Sequence, residues 1–411
     1  MLSKQDLIDD LASGCRPFQD FRIGTEHERF VFDTFHNRLP YQGVKSIQAV
    51  LEAMQPLGWR PVYENDVLIS LSCPSTGATI SLEPGGQFEL SGAPLKTLHE
   101  TYAELTNHES QLNHISQTLG VTFETKGFDP YNRRDQIPWM PKDRYKIMKR
   151  YMPLKGSLGL DMMTRTCTVQ VNLDYSSEQD MVLKMRVGMA LQPFVTALFA
   201  HSTQVEGQPT LYQSYRAQIW QDTDPDRCGL LPFVFEDSMG FERYVDYMLG
   251  VPLYFVKRNG RYIDVAGQSF NDFMQGHLPD LWGECATLSD WHDHLTVAFP
   301  EVRLKHYLEM RGADSGPLES LIALPSFWVG LLYDGDSLQN ITNLISDWTF
   351  QEIKALYEQV PRQGIKASFK GIGLKKWLTQ ILEISHQGLM NRNCLNNQRQ
   401  TEAIYLDLLT Q

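Results

Sequence analysis

The stretch Ile23-Gly24-Thr25-Glu26-His27-Glu28-Arg29-Phe30-Val31-Phe32 reads as a β-strand that aims two carboxylates at one place. Side chains alternate across a strand, so Glu26 and Glu28 share a face, and that face continues into Phe30 and Phe32, which prefer the interior. The two charges are therefore expected at the mouth of a covered site. Buried like charges repel and are costly when unpaired. A divalent cation held by oxygen ligands removes that cost, which makes Mg²⁺ the leading explanation. A solvent-facing Glu-x-Glu is the alternative that this motif alone leaves open. His27 falls on the opposite strand face and is expected to pack or to support the site from behind.

Further segments share this character. In Ile80-Ser81-Leu82-Glu83-Pro84-Gly85-Gly86-Gln87-Phe88-Glu89-Leu90 two carboxylates flank a Pro-Gly-Gly turn, with Gln87 and Glu89 on one face of the second half. Glycines there permit a tight turn and close backbone approach. Thr168-Val169-Gln170-Val171-Asn172-Leu173-Asp174 alternates without a break, and Tyr307-Leu308-Glu309-Met310-Arg311-Gly312 brings Glu309 and Arg311 together. A sheet with one wet face would alternate in the same way. The chemistry argues otherwise, because carboxylates, amides and an arginine are the set needed to bind metal and phosphate.

The whole chain bounds the reading. Its 411 residues, 42% of them hydrophobic, can build one large core or two modest domains. A net charge of −12, from 37 basic and 49 acidic residues, disfavours nucleic-acid binding. The first residues are acidic too early for a secretory signal, and the best uncharged run, residues 188–200, is short and interrupted by Gln192 and Pro193. A soluble cytoplasmic protein with no membrane partner is expected. Six cysteines, at 15, 73, 167, 228, 285 and 394, show no metal-ligand spacing, so reduced thiols are expected and Cys167 is read as core.

Helical periodicity is clearest over 95–117, 177–199, 241–249 and 349–359, the third preceded by Asp237-Ser238 as a candidate cap. Residues 211–227, polar and aromatic, read as a loop-containing segment over the site.

The runs Arg22 to Glu28, Ser81 to Pro94, Gly156 to Met163, Arg165 to Asp174, Leu230 to Phe235 and Arg303 to Asp314 closely resemble the plant-type glutamate-cysteine ligases, a class also found in bacteria. The blocks keep the family's order from near residue 10 to near residue 385, and such a colinear set is far more specific than any one motif. The resemblance implies an α+β fold, an antiparallel sheet curved into a funnel with flanking helices, like the catalytic part of glutamine synthetase. It implies a catalytic domain over residues 1–384, followed by a divergent tail, 385–411, read as a weak helix or partly mobile. The implied reaction joins the γ-carboxylate of glutamate to the amino group of cysteine through γ-glutamyl phosphate, with ATP and Mg²⁺, as the first step of glutathione biosynthesis.

That chemistry needs cations around a phosphoryl group. Glu26, Glu28, Glu83, Glu89 and Glu309 form the expected metal-ligand set. Gln170 and Asn172 would orient substrate or metal-bound water, and Arg311 would stabilise the transferring phosphoryl. Arg216 aligns with the family's arginine for the glutamate α-carboxylate, with Trp220 as pocket wall; an exposed loop arginine and a core tryptophan are the bland alternatives. Lys142, Arg144 and Lys146 could reach nucleotide phosphates or form a solvated surface run. At positions aligned with the regulatory cysteines of plant members stand Tyr102 and Ile322, and Val265 and Asp280, so those disulfide switches cannot form. The expected partners are glutamate, cysteine and ATP, and the chain is expected to be a monomer or weak homodimer. Two other readings stay open: a γ-glutamyl ligase with a different amine acceptor, and a non-catalytic nucleotide-binding regulator.

Overall fold

The opening strand forms as β1 (Ile23–Phe32), near the centre of a nine-stranded sheet in a computed structural model that describes residues 2–409. The other strands are β2 (Arg60–Glu64), β3 (Val67–Ser72), β4 (Thr79–Leu82), β5 (Phe88–Ser91), β6 (Thr122–Glu124), β7 (Thr168–Leu173), β8 (Val302–Leu304) and β9 (Leu308–Asp314). They run in the order β8-β9-β7-β1-β5-β4-β3-β2, with β6 paired to the far end of β1. Every pairing in this sheet is antiparallel, so the α+β class expected from the resemblance is the one found.

Alternation decides what each face touches. Val169, Val171 and Leu173 of β7 and Leu308 and Met310 of β9 enter the main core. Two helices cover them there, α5 (Glu178–Leu198) and α9 (Leu318–Leu332). A second core joins β3, β4 and β5 to α2 (Leu98–Leu119) through Leu71, Ile80, Leu90, Leu112 and Ile115. Phe30, Phe32 and Cys167 make a small cluster of their own, which confirms the thiol as core.

The expected helices form, with ends set by caps. Thr97 and Glu100 make a capping box at the start of α2, and Ser177 accepts from the Asp180 amide at the start of α5. Helix α7 (Phe241–Gly250) departs from the reading: Asp237-Ser238 does not cap it. Its first amide, on Phe241, donates instead to the Glu178 carboxylate at 2.7 Å, a tertiary acceptor that no local motif reveals. The other helices that matter here are α1 (Lys4–Ala12), α3 (Asp143–Tyr151), α4 (Gly159–Arg165), α6 (Tyr215–Trp220), α8 (Leu288–Leu295), α10 (Phe350–Gln363) and α11 (Leu374–Arg392).

The expected division at residue 384 falls inside α11, and Ser385, Gly388 and Leu389 are buried against α9. Beyond it Ala403, Tyr405 and Leu406 are buried, and Glu402 is fully enclosed. One Glu402 oxygen accepts from the Leu98 amide at 2.7 Å, where α2 leaves an unpaired donor, and the other from Arg392 Nε at 2.9 Å. The weak or mobile tail expected for 385–411 is therefore a packed segment as far as it is described. All six cysteines are free, and Tyr102 and Ile322 both pack in the main core.

Candidate active site

The polar face of the sheet lines a cavity of about 220 Å³. Glu26 and Glu28 of β1, Glu83 and Glu89 around the β4–β5 turn, Gln170 of β7 and Arg311 of β9 all reach it, as do Arg216 and Trp220 of α6 and Arg144 of α3. Register explains the convergence: Glu26 lies opposite Gln170 and Glu28 opposite Glu89 on adjacent strands.

The β4–β5 turn is pinned from several sides. The Gly86 amide donates to the Glu83 carbonyl at 2.8 Å with Gly86 at φ +79°, the left-handed region that suits glycine. A Cβ on Gly85 would run into the Thr164 backbone. Gln87 accepts from the Gly85 amide and donates to the Met163 and Thr166 carbonyls, and buried Arg38 donates to the Gly85 carbonyl at 2.6 Å. Gln87 is thus a strut that holds the turn to the α4–β7 connection.

The carboxylates are held but not neutralised. Glu28 accepts from the Thr168 amide at 3.0 Å, Glu89 from the Ser91 hydroxyl at 2.8 Å and Glu26 from Asn172 Nδ2 at 2.8 Å. Burial, then Glu83 and Glu89, push the Glu28 carboxyl well above its usual range. Burial, then Glu83 and Glu26, push Glu89 up to about 8, and burial with Glu309 raises Glu26. Their oxygens are hard donors of the kind Mg²⁺ takes. Among the described residues the one His, Cys or carboxylate trio with ligand atoms all within 4.8 Å of one another lies elsewhere, at Asp10, His292 and His306. No three of the cavity glutamates bring their oxygens that close together.

Glu309 needs correction as a metal ligand. It is fully buried behind the cavity wall, and both its oxygens are taken: Arg303 Nε donates at 2.5 Å and Nη2 at 3.0 Å, Arg311 Nη1 at 3.0 Å, and Lys305 Nζ stands 3.6 Å away. Despite its burial, Arg303, Lys305 and Arg311 hold its carboxyl well below the usual range. A carboxylate shared by three cations offers nothing to a fourth; its work is to aim two arginines.

Asn172 also sits behind the wall, committed to Glu26. Gln170 does line the cavity, but its Oε1 accepts from Arg311 Nη1 at 2.7 Å, so it positions the arginine. Of the basic cluster only Arg144 faces the cavity. Lys146 is exposed and paired with Asp143 at 2.8 Å, and Lys142 is buried with Nζ donating to the Leu82 carbonyl at 2.8 Å, so phosphate contact by these two is corrected. Burial lowers the Lys142 ammonium to about 8.

Arg216 and Trp220 share α6. The guanidinium lies 5.6 Å from the indole centroid and donates through Nη2 to the Arg311 carbonyl at 3.0 Å. Arg216 Nε and Trp220 Nε1 are buried donors without a protein partner. Unspent donors at a cavity wall are what an anionic substrate group would satisfy. The exposed-loop alternative for Arg216 does not hold, since the residue is buried on a helix.

Arg303 is the residue that sequence reasoning passed over. Besides holding Glu309 it lines the cavity and donates to the Thr296 and Ala298 carbonyls. Its part shows only once β8 and β9 pair as a hairpin, whose register sets Arg303 opposite Glu309.

The profile of the glutamate-cysteine ligase family 2 matches residues 22–410, past the boundary expected at 384. The chain is 54% identical over 392 residues to glutamate-cysteine ligase B, chloroplastic, of Oryza sativa subsp. japonica, covering 95% of this chain and 78% of the relative. It is 53% identical over 392 residues to the chloroplastic glutamate-cysteine ligase of Arabidopsis thaliana, covering 95% and 74%. Among solved structures, the glutamate-cysteine ligase of Francisella tularensis in complex with AMP superposes with a TM-score of 0.52 at 12% identity, over 95% of this chain and 80% of that one, a likeness of fold.

No helix among the described residues is long and apolar enough to cross a membrane. The expected cytoplasmic placement is overturned by the relatives, which are named as chloroplastic proteins. The lack of a secretory-type signal and of a membrane-length apolar run, on which that expectation rested, does not identify a compartment. With the match running through nearly all of its length, this chain belongs to the glutamate-cysteine ligase family 2.

Proposed function

We propose that the cavity joins the γ-carboxylate of glutamate to the amino group of cysteine at the expense of ATP, forming γ-glutamylcysteine, ADP and phosphate. The observation that carries this reading is that four carboxylates, Glu26, Glu28, Glu83 and Glu89, and four arginines, Arg144, Arg216, Arg303 and Arg311, line one cavity. A free carboxylate is a poor acyl donor, so the γ-carboxylate first attacks the terminal phosphorus of ATP and ADP leaves. The amine then attacks the resulting γ-glutamyl phosphate and phosphate leaves.

Arg216 receives the α-carboxylate of glutamate through its spare donors, against the face of Trp220. Arg311 is held by Gln170 and Glu309 so that its fork faces the transferring phosphoryl, where planar donors match phosphate oxygens. Arg144, which also lines the cavity, supports the nucleotide phosphates. Glu26, Glu28, Glu83 and Glu89 would hold Mg²⁺, which when bound supplies positive charge to the phosphates.

The test is ADP release by purified protein with ATP, Mg²⁺, glutamate and a panel of amino acids. Turnover with cysteine, with γ-glutamylcysteine found by mass spectrometry, is expected. Turnover with another amine but none with cysteine selects the different-acceptor ligase, and no ADP with any acceptor selects the non-catalytic regulator.

A further inference from the structure

Away from the catalytic cavity, three segments distant in sequence bring together an imidazole pair and a carboxylate. Asp10 lies near the end of α1, His292 on α8, and His306 in the turn between β8 and β9. Their ligand atoms all lie within 4.8 Å of one another. His292 Nε2 is 2.8 Å from Asp10 Oδ1 and His306 Nε2 is 3.3 Å from the same oxygen. The two rings stand edge to face with centroids 5.6 Å apart, so both Nε2 atoms converge on one point. His306 Nε2 is itself buried and makes no hydrogen bond, an orphan aimed into the cluster.

The surroundings hold this geometry in place. Trp291 Nε1 donates to Asp10 Oδ2 at 3.1 Å, which orients the carboxylate and leaves Oδ1 toward the imidazoles. The Tyr175 hydroxyl lies 2.8 Å from the Leu11 carbonyl and 2.9 Å from the Lys305 carbonyl, tying the end of α1 to the residue before His306. A Cβ on Gly14 would meet the His306 backbone at 2.7 Å, so the chain after α1 can pack against this turn only because glycine stands there.

We propose that Asp10, His292 and His306 form a site for a divalent transition ion of the Zn²⁺ type. Two imidazoles and one carboxylate suit Zn²⁺ and not Mg²⁺, which takes oxygen ligands and keeps its waters. Half-exposed His292 leaves room for water or an outside ligand in the fourth position. The ion would clamp α1 and α8 to the β8–β9 turn, whose Lys305 stands beside the Glu309 carboxylate that aims Arg303 and Arg311.

The test is Zn²⁺ titration of the full chain by calorimetry in excess Mg²⁺, which occupies oxygen sites without competing for imidazoles. It is paired with Co²⁺ substitution, read by visible absorption. Wild type is expected to bind one Zn²⁺ at this site, to show Co²⁺ d–d bands and to melt at a higher temperature with Zn²⁺. His292→Ala, at a half-exposed position that spares the fold, should weaken this binding by at least the roughly tenfold that loss of an outer-shell partner costs. His306→Ala should do the same and abolish the Co²⁺ bands, while circular dichroism reports both variants folded. Zn²⁺ affinity and Co²⁺ spectra unchanged in the folded His292→Ala and His306→Ala variants would overturn the proposal. So would a wild type that binds no Zn²⁺ under these conditions, leaving the cluster as a surface hydrogen-bonded pair.

Discussion

Glu89 and Arg216 show how one side chain sets measurable behaviour. The folded-state carboxyl of Glu89 is raised to about 8 from an ordinary 4.5, so between those values the folded protein binds more protons than the unfolded chain. Its contribution is fully present below the lower value and is lost as pH rises through the upper one. Metal-free protein in chelator should therefore lose melting temperature from about pH 5 to about pH 8 through this group. Glu89→Gln should flatten that slope, and an equal slope in the variant would reject the assignment. In the role proposed for Arg216, Arg216→Ala would remove charge-assisted hydrogen bonds to the glutamate α-carboxylate, each of about 1.5–3 kcal/mol. The KM for glutamate should rise about ten- to a hundredfold on that basis, with the KM for ATP little changed. A rise confined to ATP would reassign the residue.

The β4–β5 turn and the α3 helix mark the reach of local patterns at the scale of elements. Gly85 approaches the Thr164 backbone, whereas Gly77, at φ +83°, has nothing within 4 Å of where its Cβ would stand. Gly77→Ala should cost about 1 kcal/mol of backbone strain and leave activity intact. Gly85→Ala must move the turn and with it Glu83 and Glu89, so activity should fall at least tenfold, about 1.4 kcal/mol of transition-state stabilisation. Equal activity in the two variants would show that the turn does not set the site. Strand alternation was legible: it is enough to turn Glu26, Glu28, Gln170, Glu89 and Arg311 toward one cavity. The basic cluster was not, because helix phase decides which cation turns inward, and α3 turns in Arg144 and turns out Lys146. Nor was the partner of Glu309, since alternation gives a side chain its face but not its neighbours across a hairpin.

Across the whole molecule, the two ends of the described chain are built into it. Glu402 joins the start of α2 to Arg392 with both oxygens enclosed, and removing one member of such a buried pair strands the other. Glu402→Ala should cost about 3–5 kcal/mol in denaturant unfolding and lower the melting temperature, while the KM values of the surviving enzyme stay near wild type. A loss under about 1 kcal/mol, the worth of an exposed pair, would mean that the segment is held elsewhere. Composition hid this packing: residues 385–411 are rich in Asn and Gln, and the burial of the described ones depends on α9 and α2, distant in sequence.

The pairing of Glu28 with Glu89 across β1 and β5 has one more consequence, which is best expressed as a count of protons. At neutral pH Glu89, titrating near 8, still carries its hydrogen, so a cation that docks there must evict it. Loading the site is then an ion exchange with the solvent. The heat of loading should differ between buffers of unlike ionisation enthalpy, by an amount that gives the number of protons released. That number should shrink toward zero as the pH passes 8, and the cation should need less help from concentration as it does so.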